Sequence, residues 1–262
     1  MHGQARIGPI PALRDKSASP RTPKLGAMSA PSLLLVPGAW HRPEHWKLLT
    51  DELRGVDVHT VALTAVGDDP AALGDMHSDA QAIAAAAAAI DGPVVVVAHS
   101  YGGIPVTQGL VGADNVQRIV YVTAFQLDVG ESLLSSIGGV PPPWWKVHQR
   151  GDVDHCVSPM TPRDVFYGDV DPALAERAVS RLWKCHSLAS KTQALTDVAW
   201  KTVPSTYVIC EADNAIPPFA QELWAKRAER VLRMNTSHSP FLSRPAELAR
   251  LIEDELAIVR GV

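Results

Sequence analysis

Residues 94–103 read Val-Val-Val-Val-Ala-His-Ser-Tyr-Gly-Gly, and few folds accept such a run. The four valines predict a strand buried on both faces, as in the interior of a parallel sheet. Gly102-Gly103 and the helical pattern over Ile104–Val111 predict a tight strand-to-helix turn. A serine at such a turn, here Ser100, is held in a strained backbone that lifts its hydroxyl out of the sheet. The helix N-terminus beside it can stabilise negative charge. The pattern is G-x-S-x-G with Ala98 at the first glycine, a departure of one methyl. So short a motif also occurs as a plain turn, so its weight comes from what stands on either side.

Upstream, Ser32-Leu-Leu-Leu-Val-Pro-Gly-Ala-Trp40 is an apolar strand ending in a turn of small residues. Downstream, Tyr207-Val-Ile-Cys-Glu-Ala-Asp213 is a strand ending in a carboxylate, and His238 sits in the loop before the last helix. A serine hydroxyl is a poor nucleophile near neutral pH; it needs a base within reach and an acid to orient that base. Ser100, Asp213 and His238 occur in the order Ser, Asp, His.

With these motifs the chain resembles the α/β-hydrolase superfamily from Ser32 onward. Its nearest branch is that of small serine esterases related to plant methylesterases, hydroxynitrile lyases and pyrethroid-hydrolysing carboxylesterases. The 37–40 turn looks like the His-Gly-Ala turn of those enzymes, with Pro37 in place of the histidine. The resemblance implies an α/β fold: a mostly parallel central sheet flanked by helices, with a helical lid insertion. It also implies a carboxylesterase acting through an acyl-enzyme on a small to medium apolar ester, without cofactor. Ser100 would be the nucleophile, His238 the base and Asp213 the orienting acid; Asp128, after the preceding strand, is the rival acid. The backbone N–H groups of Tyr101 and Ala39 would form the oxyanion hole, with Trp40 the alternative to Ala39. His99 adjoins Ser100, but neighbouring residues on a strand face opposite ways, so it is not expected to be the base.

Other activities use the same fold. A lactonase or thioesterase would need the same three residues. Hydroxynitrile lyases of this branch carry a lysine after the histidine, whereas Ser239 stands here. A non-catalytic binding protein on this fold usually lacks one of the three. No histidine pair has the spacing of a catalytic metal site, so no metal is expected.

Composition sets the outer limits. The 262 residues, 46% hydrophobic, suffice for one well-cored domain with an insertion. A net charge of −4 argues against nucleic acid or an anionic membrane surface as the main partner; the partner the resemblance implies is a small-molecule ester. No apolar run approaches the ~20 residues of a spanning helix. Oligomeric state is left open, a homodimer included. Cys156, Cys185 and Cys210 lack C-x-x-C spacing and are expected as thiols in a reducing, cytoplasmic compartment, with a Cys156–Cys185 pair as the alternative. Residues 1–30 are basic (Arg6, Arg14, Lys16, Arg21 and Lys24 against Asp15) and read as a disordered or non-native extension, with Met28 starting the core.

Strands alternate with helices from Leu33 to Phe125 and again from Ser205 onward, which predicts a core of 31–125 and 204–262. Between them, 126–203 is too long for an ordinary connection and rich in proline and tryptophan, as a lid or cap would be. Trp40, Trp144, Trp145, Trp183 and Trp200 are expected around the mouth of the site. Of these Trp40 and Trp145 are the candidate substrate contacts; each could equally be core.

Overall fold

The computed structural model describes residues 29–151 and 153–261, so nearly all of the expected N-terminal extension lies outside it. Ten strands are present: β1 Ser32–Val36, β2 Val58–Thr60, β3 Val66–Gly67, β4 Val94–His99, β5 Val116–Val122, β6 Trp145–Arg150, β7 Val153–Pro159, β8 Cys185–Ser187, β9 Ser205–Cys210 and β10 Arg230–Met234. Six form a parallel sheet in the order β10-β9-β5-β4-β1-β2. The four valines of β4 lie at its centre, fully buried, as do Leu33–Val36 of β1. Burying each such side chain contributes about 1.5–3 kcal/mol before entropy is counted.

The chain runs outward from β1 to β2, crosses back to β4, and then continues to β5, β9 and β10. Strand order therefore reverses between β1 and β4. In an open α/β sheet the crevice beyond the carboxyl ends at such a reversal is where ligands bind.

Helices cover the sheet as the sequence pattern predicts, with shifted ends. The alanine-rich helix Met76–Ala88 is closed at its start by reciprocal Asp75 and Ser78 hydrogen bonds. Its small side chains let the helix Gly103–Gly109 come close: a Cβ on Gly109 would lie 2.4 Å from the Ala80 carbonyl oxygen. Residues 43–52 divide into a tight turn, Pro43–Trp46, and a helix, Lys47–Glu52. The last helix, Pro245–Arg260, turns Leu248, Ala249, Ile252 and Leu256 inward.

Segment 126–203 is not purely helical. It has short helices at Leu133–Ser136, Pro162–Phe166, Pro172–Ser180 and Ala189–Thr192, but it also supplies β6, β7 and β8. With β3 these form a second sheet, antiparallel, in the order β3-β8-β7-β6. The hairpin β6–β7 turns at Gly151, whose φ is +64°. Most of β6 faces solvent, so its sequence lacks the apolar alternation that marks a half-buried strand. Among the described residues no helix is long and apolar enough to cross a membrane.

Candidate active site

The site assembles at the carboxyl ends of β1, β4, β5, β9 and β10. Ser100 follows β4 directly, at φ +53°, and opens a tight turn that runs into the helix Gly103–Gly109. Left-handed backbone at a non-glycine residue costs about 1–3 kcal/mol and persists only where packing enforces it. Packing does so here. A Cβ on Gly102 would stand 2.5 Å from the Pro37 carbonyl oxygen, and one on Gly103 2.6 Å from that of Phe125. Trp40 (+60°) and Thr123 (+38°), at the ends of the neighbouring strands, share this conformation. Strain is thus concentrated around one point.

The 37–40 turn presses against the serine. A side chain at Gly38 would meet His99 Nδ1 at 2.7 Å and Ser100 Cβ at 2.8 Å, so only glycine fits. Ala39 and Tyr101 line the same cavity as Ser100. Among the described residues their backbone N–H groups donate to no other protein group.

Asp213 is buried and its carboxylate is fully engaged. Oδ1 accepts from the N–H groups of Ala215 (2.7 Å) and Ile216 (2.9 Å). Oδ2 accepts from Thr123 Oγ1 (2.5 Å), Gln221 Nε2 (3.4 Å) and His238 Nδ1 (2.7 Å). His238 therefore carries its proton on Nδ1 toward Asp213 and leaves Nε2 bare. Its ring is 1% exposed and packs between His99 and Phe166, with centroids 4.6 and 5.6 Å away. His99 Nε2 donates to the His238 carbonyl oxygen at 2.8 Å, so His99 pins the loop that carries His238. Burial, aided by the neighbouring His238, holds the His99 pKa well below the ordinary range and keeps it neutral. Among the described residues no hydrogen bond joins Ser100 Oγ to His238 Nε2. Catalytic hydrogen bonds are often long in the absence of substrate.

Asp128 is occupied elsewhere, 2.6 Å from Lys201 Nζ. That ammonium lowers the Asp128 pKa, and no bond links its carboxylate to His238.

The cavity at Ser100 has about 50 Å3 of room, enough for a few water molecules. Trp40, Trp144, Trp145 and Phe166 form its aromatic wall, with ring centroids 5.6–6.3 Å apart where they touch. Trp183 and Trp200 stand outside it. Trp183 lies under the Arg42 guanidinium, and Trp200 Nε1 donates to the Leu127 carbonyl.

Sequence reasoning missed two residues beside the site. His41 Nδ1–H donates to the Ala39 carbonyl (2.8 Å), while Nε2 accepts from the Tyr167 hydroxyl (3.0 Å), which braces the 37–40 turn. Its place directly after that turn was the available signal. Lys191 is wholly buried in the cavity wall, and nothing in the surrounding Ala-Ser-Lys-Thr-Gln marks it. All three cysteines are free; Cys156 and Cys185 lie side by side, their sulfurs 2.7 Å apart.

Comparison with known proteins agrees with this architecture. Residues 33–251 match the model of a family described as the alpha/beta hydrolase family. The alpha/beta hydrolase nvfD of Aspergillus novofumigatus is 31% identical over 244 residues, covering 87% of this chain and 97% of that protein. The probable hydrolase R7 of a Phoma species is 29% identical, with 87% and 98% covered. Among solved structures, a pyrethroid hydrolase from Sphingobium faniae superposes with a TM-score of 0.71 at 21% identity, covering 87% of this chain and 97% of the other. The methylesterase MES16 from Arabidopsis gives 0.73 at 20% identity, with 87% and 99% covered. With its parallel sheet, its strained serine and this match along most of its length, the chain belongs to the alpha/beta hydrolase family.

Proposed function

We propose that the protein is a serine hydrolase that cleaves a small to medium, mostly apolar carboxylic ester through an acyl-enzyme. The observation that carries this reading is the buried Asp213–His238 hydrogen bond, 2.7 Å long, on the loop that His99 ties to the strand bearing Ser100. Ser100 Oγ attacks the acyl carbon as His238 Nε2 takes its proton. Asp213 fixes the imidazole tautomer and stabilises the imidazolium, remaining ionised itself. The oxyanion is held by the N–H groups of Ala39 and Tyr101. Collapse of the tetrahedral intermediate expels the alcohol, which receives the proton from His238. Water then repeats the sequence on the acyl-serine and releases the acid.

Segment 126–203 serves as the lid over this chemistry. It supplies Trp144, Trp145, Phe166 and Lys191 to the cavity, which is too small to take a bulky ester unless the lid shifts. The esterase-type names among structures of the same fold, the pyrethroid hydrolase and the plant methylesterase, agree with this reaction class. The free thiols of Cys156, Cys185 and Cys210 fit a reducing, cytoplasmic compartment.

The test is Ser100→Ala, with circular dichroism to verify folding. Hydrolysis of p-nitrophenyl butyrate is expected to fall roughly 10⁶-fold, as in a well-studied serine hydrolase. Labelling by a fluorophosphonate probe should vanish with it. Persistent labelling in the variant would remove Ser100 from the mechanism.

A further inference from the structure

Lys191 has an environment that the reaction above does not use. It is 0% exposed, on the short helix Ala189–Thr192, and lines the cavity into which Ser100 opens. The other buried charged groups among the described residues have partners. Arg118 meets Glu229 and Glu255, Glu255 also meets Arg230, and Asp213 binds His238. Asp79 accepts from Thr64, Ala65 and Tyr101. No carboxylate among the described residues lies within ion-pairing distance of Lys191 Nζ.

Its polar neighbours are His186, whose Nδ1 and Nε2 lie 2.5 and 2.8 Å away, and Ser190 Oγ at 3.4 Å. Around the amine stand ring faces: Tyr101 with its centroid at 4.2 Å, Trp40 at 5.6 Å and Trp145 at 5.9 Å. Aromatic faces attract a cation but do not neutralise it. Lysine is almost never fully buried without a partner. A cage built for a cation, with no anion in it and the nucleophile in the same cavity, lacks one component that a ligand can supply.

We propose that Lys191 is the subsite for a carboxylate carried by the substrate, so that the preferred ester is a half-ester of a dicarboxylic acid. One carboxyl is esterified and faces Ser100; the other is ionised and pairs with Lys191. The proposal deepens the esterase reading and rests on it. It gives the aromatic wall the connecting methylenes and the lysine the far end. Burial holds the amine's pKa well below the ordinary lysine range, and Asp79, behind Tyr101, offsets this only in part. His186 and Tyr101 also face the amine; burial holds the His186 pKa well below, and the Tyr101 pKa well above, its ordinary range. A carboxylate beside the amine favours its protonated form and opposes the lysine's shift.

The test compares monomethyl succinate, glutarate and adipate with methyl butyrate and methyl hexanoate, on wild type and Lys191→Met. For at least one chain length, wild-type kcat/KM for the half-ester is expected to exceed that for the neutral ester by about tenfold. That ratio should fall roughly 30-fold or more in the variant, chiefly through KM, whatever happens to the two absolute rates. A wild-type ratio of one or less at every length, or the same ratio in both proteins, overturns the proposal.

Calorimetry with monomethyl glutarate on Ser100→Ala gives a second readout, independent of turnover and of whether Lys191→Met folds. Monomethyl glutarate is expected to bind at least about tenfold more tightly than methyl butyrate. Equal or weaker binding of the half-ester overturns the proposal. Failure of the esterase reading would look different: no ester of either kind cleaved and no fluorophosphonate label, with preferential binding of the half-ester carboxylate still present.

Discussion

The two walls of the cavity are built on different principles. On the sheet side the acid and the loop bearing His238 are held by protein hydrogen bonds. Every oxygen of Asp213 has donors, His99 donates to the His238 carbonyl, and glycines at 38, 102 and 103 set the backbone spacing to tenths of an ångström. On the side of segment 126–203 the contacts are aromatic edges and faces, and the buried Lys191 amine has no counter-ion. A wall held by short hydrogen bonds and close backbone contacts fixes geometry, which suits chemistry common to many substrates. A wall of rings and one unmatched amine discriminates by shape and charge. On the proposed reaction, the difference would put rate on the sheet and specificity on the insertion.

Substitutions on each wall can break that division. The largest effect is expected from Asp213→Asn, which keeps the shape but favours the wrong His238 tautomer. The kcat should drop roughly 10⁴-fold with KM little changed. Stopped-flow or steady-state kinetics on any accepted ester would show it, and a loss under tenfold would mean that another acid orients the base. Next comes Gly38→Ala. Its methyl would meet His99 Nδ1 at 2.7 Å and Ser100 Cβ at 2.8 Å, so the 37–40 turn must move. Displacing one oxyanion donor costs about 10²–10³ in kcat; a neutral result would show that Ala39 N–H has no part in it. The smallest expected change belongs to the other wall. Trp145→Ala should alter kcat/KM by about 10–200-fold, in opposite directions for small and bulky esters, through KM. A uniform fall in kcat for every ester would erase the distinction between the walls.

Legibility in the sequence follows the same line. The buried valines of β4 and the glycines after Ser100 can be read because parallel-sheet strands and close backbone approach restrict residue type at each position. Asp213 and His238 were locatable because each follows a strand of that sheet in chain order. The antiparallel sheet of the insertion was hidden for the opposite reason. Strand β6 is held by pairing with β7 while most of its side chains face water, so no apolar rhythm marks it. Lys191 was hidden more deeply. A lysine after a serine reads as a surface residue, and only the fold shows that Trp40, Tyr101 and Trp145, from three distant stretches, enclose it.

Residues 164–169 touch all three working parts of the sheet side. The Asp164 carbonyl accepts from Asn214, next to Asp213, at 2.9 Å; the Tyr167 hydroxyl reaches His41 behind the 37–40 turn; and Asp169 accepts from Ser237, next to His238. On the proposed reaction, lifting this roof to admit an ester would pull on the neighbours of Asp213, His238 and the 37–40 turn together. Shutting it would restore all of them at once, so a molecule too large to be enclosed would meet residues that are out of alignment.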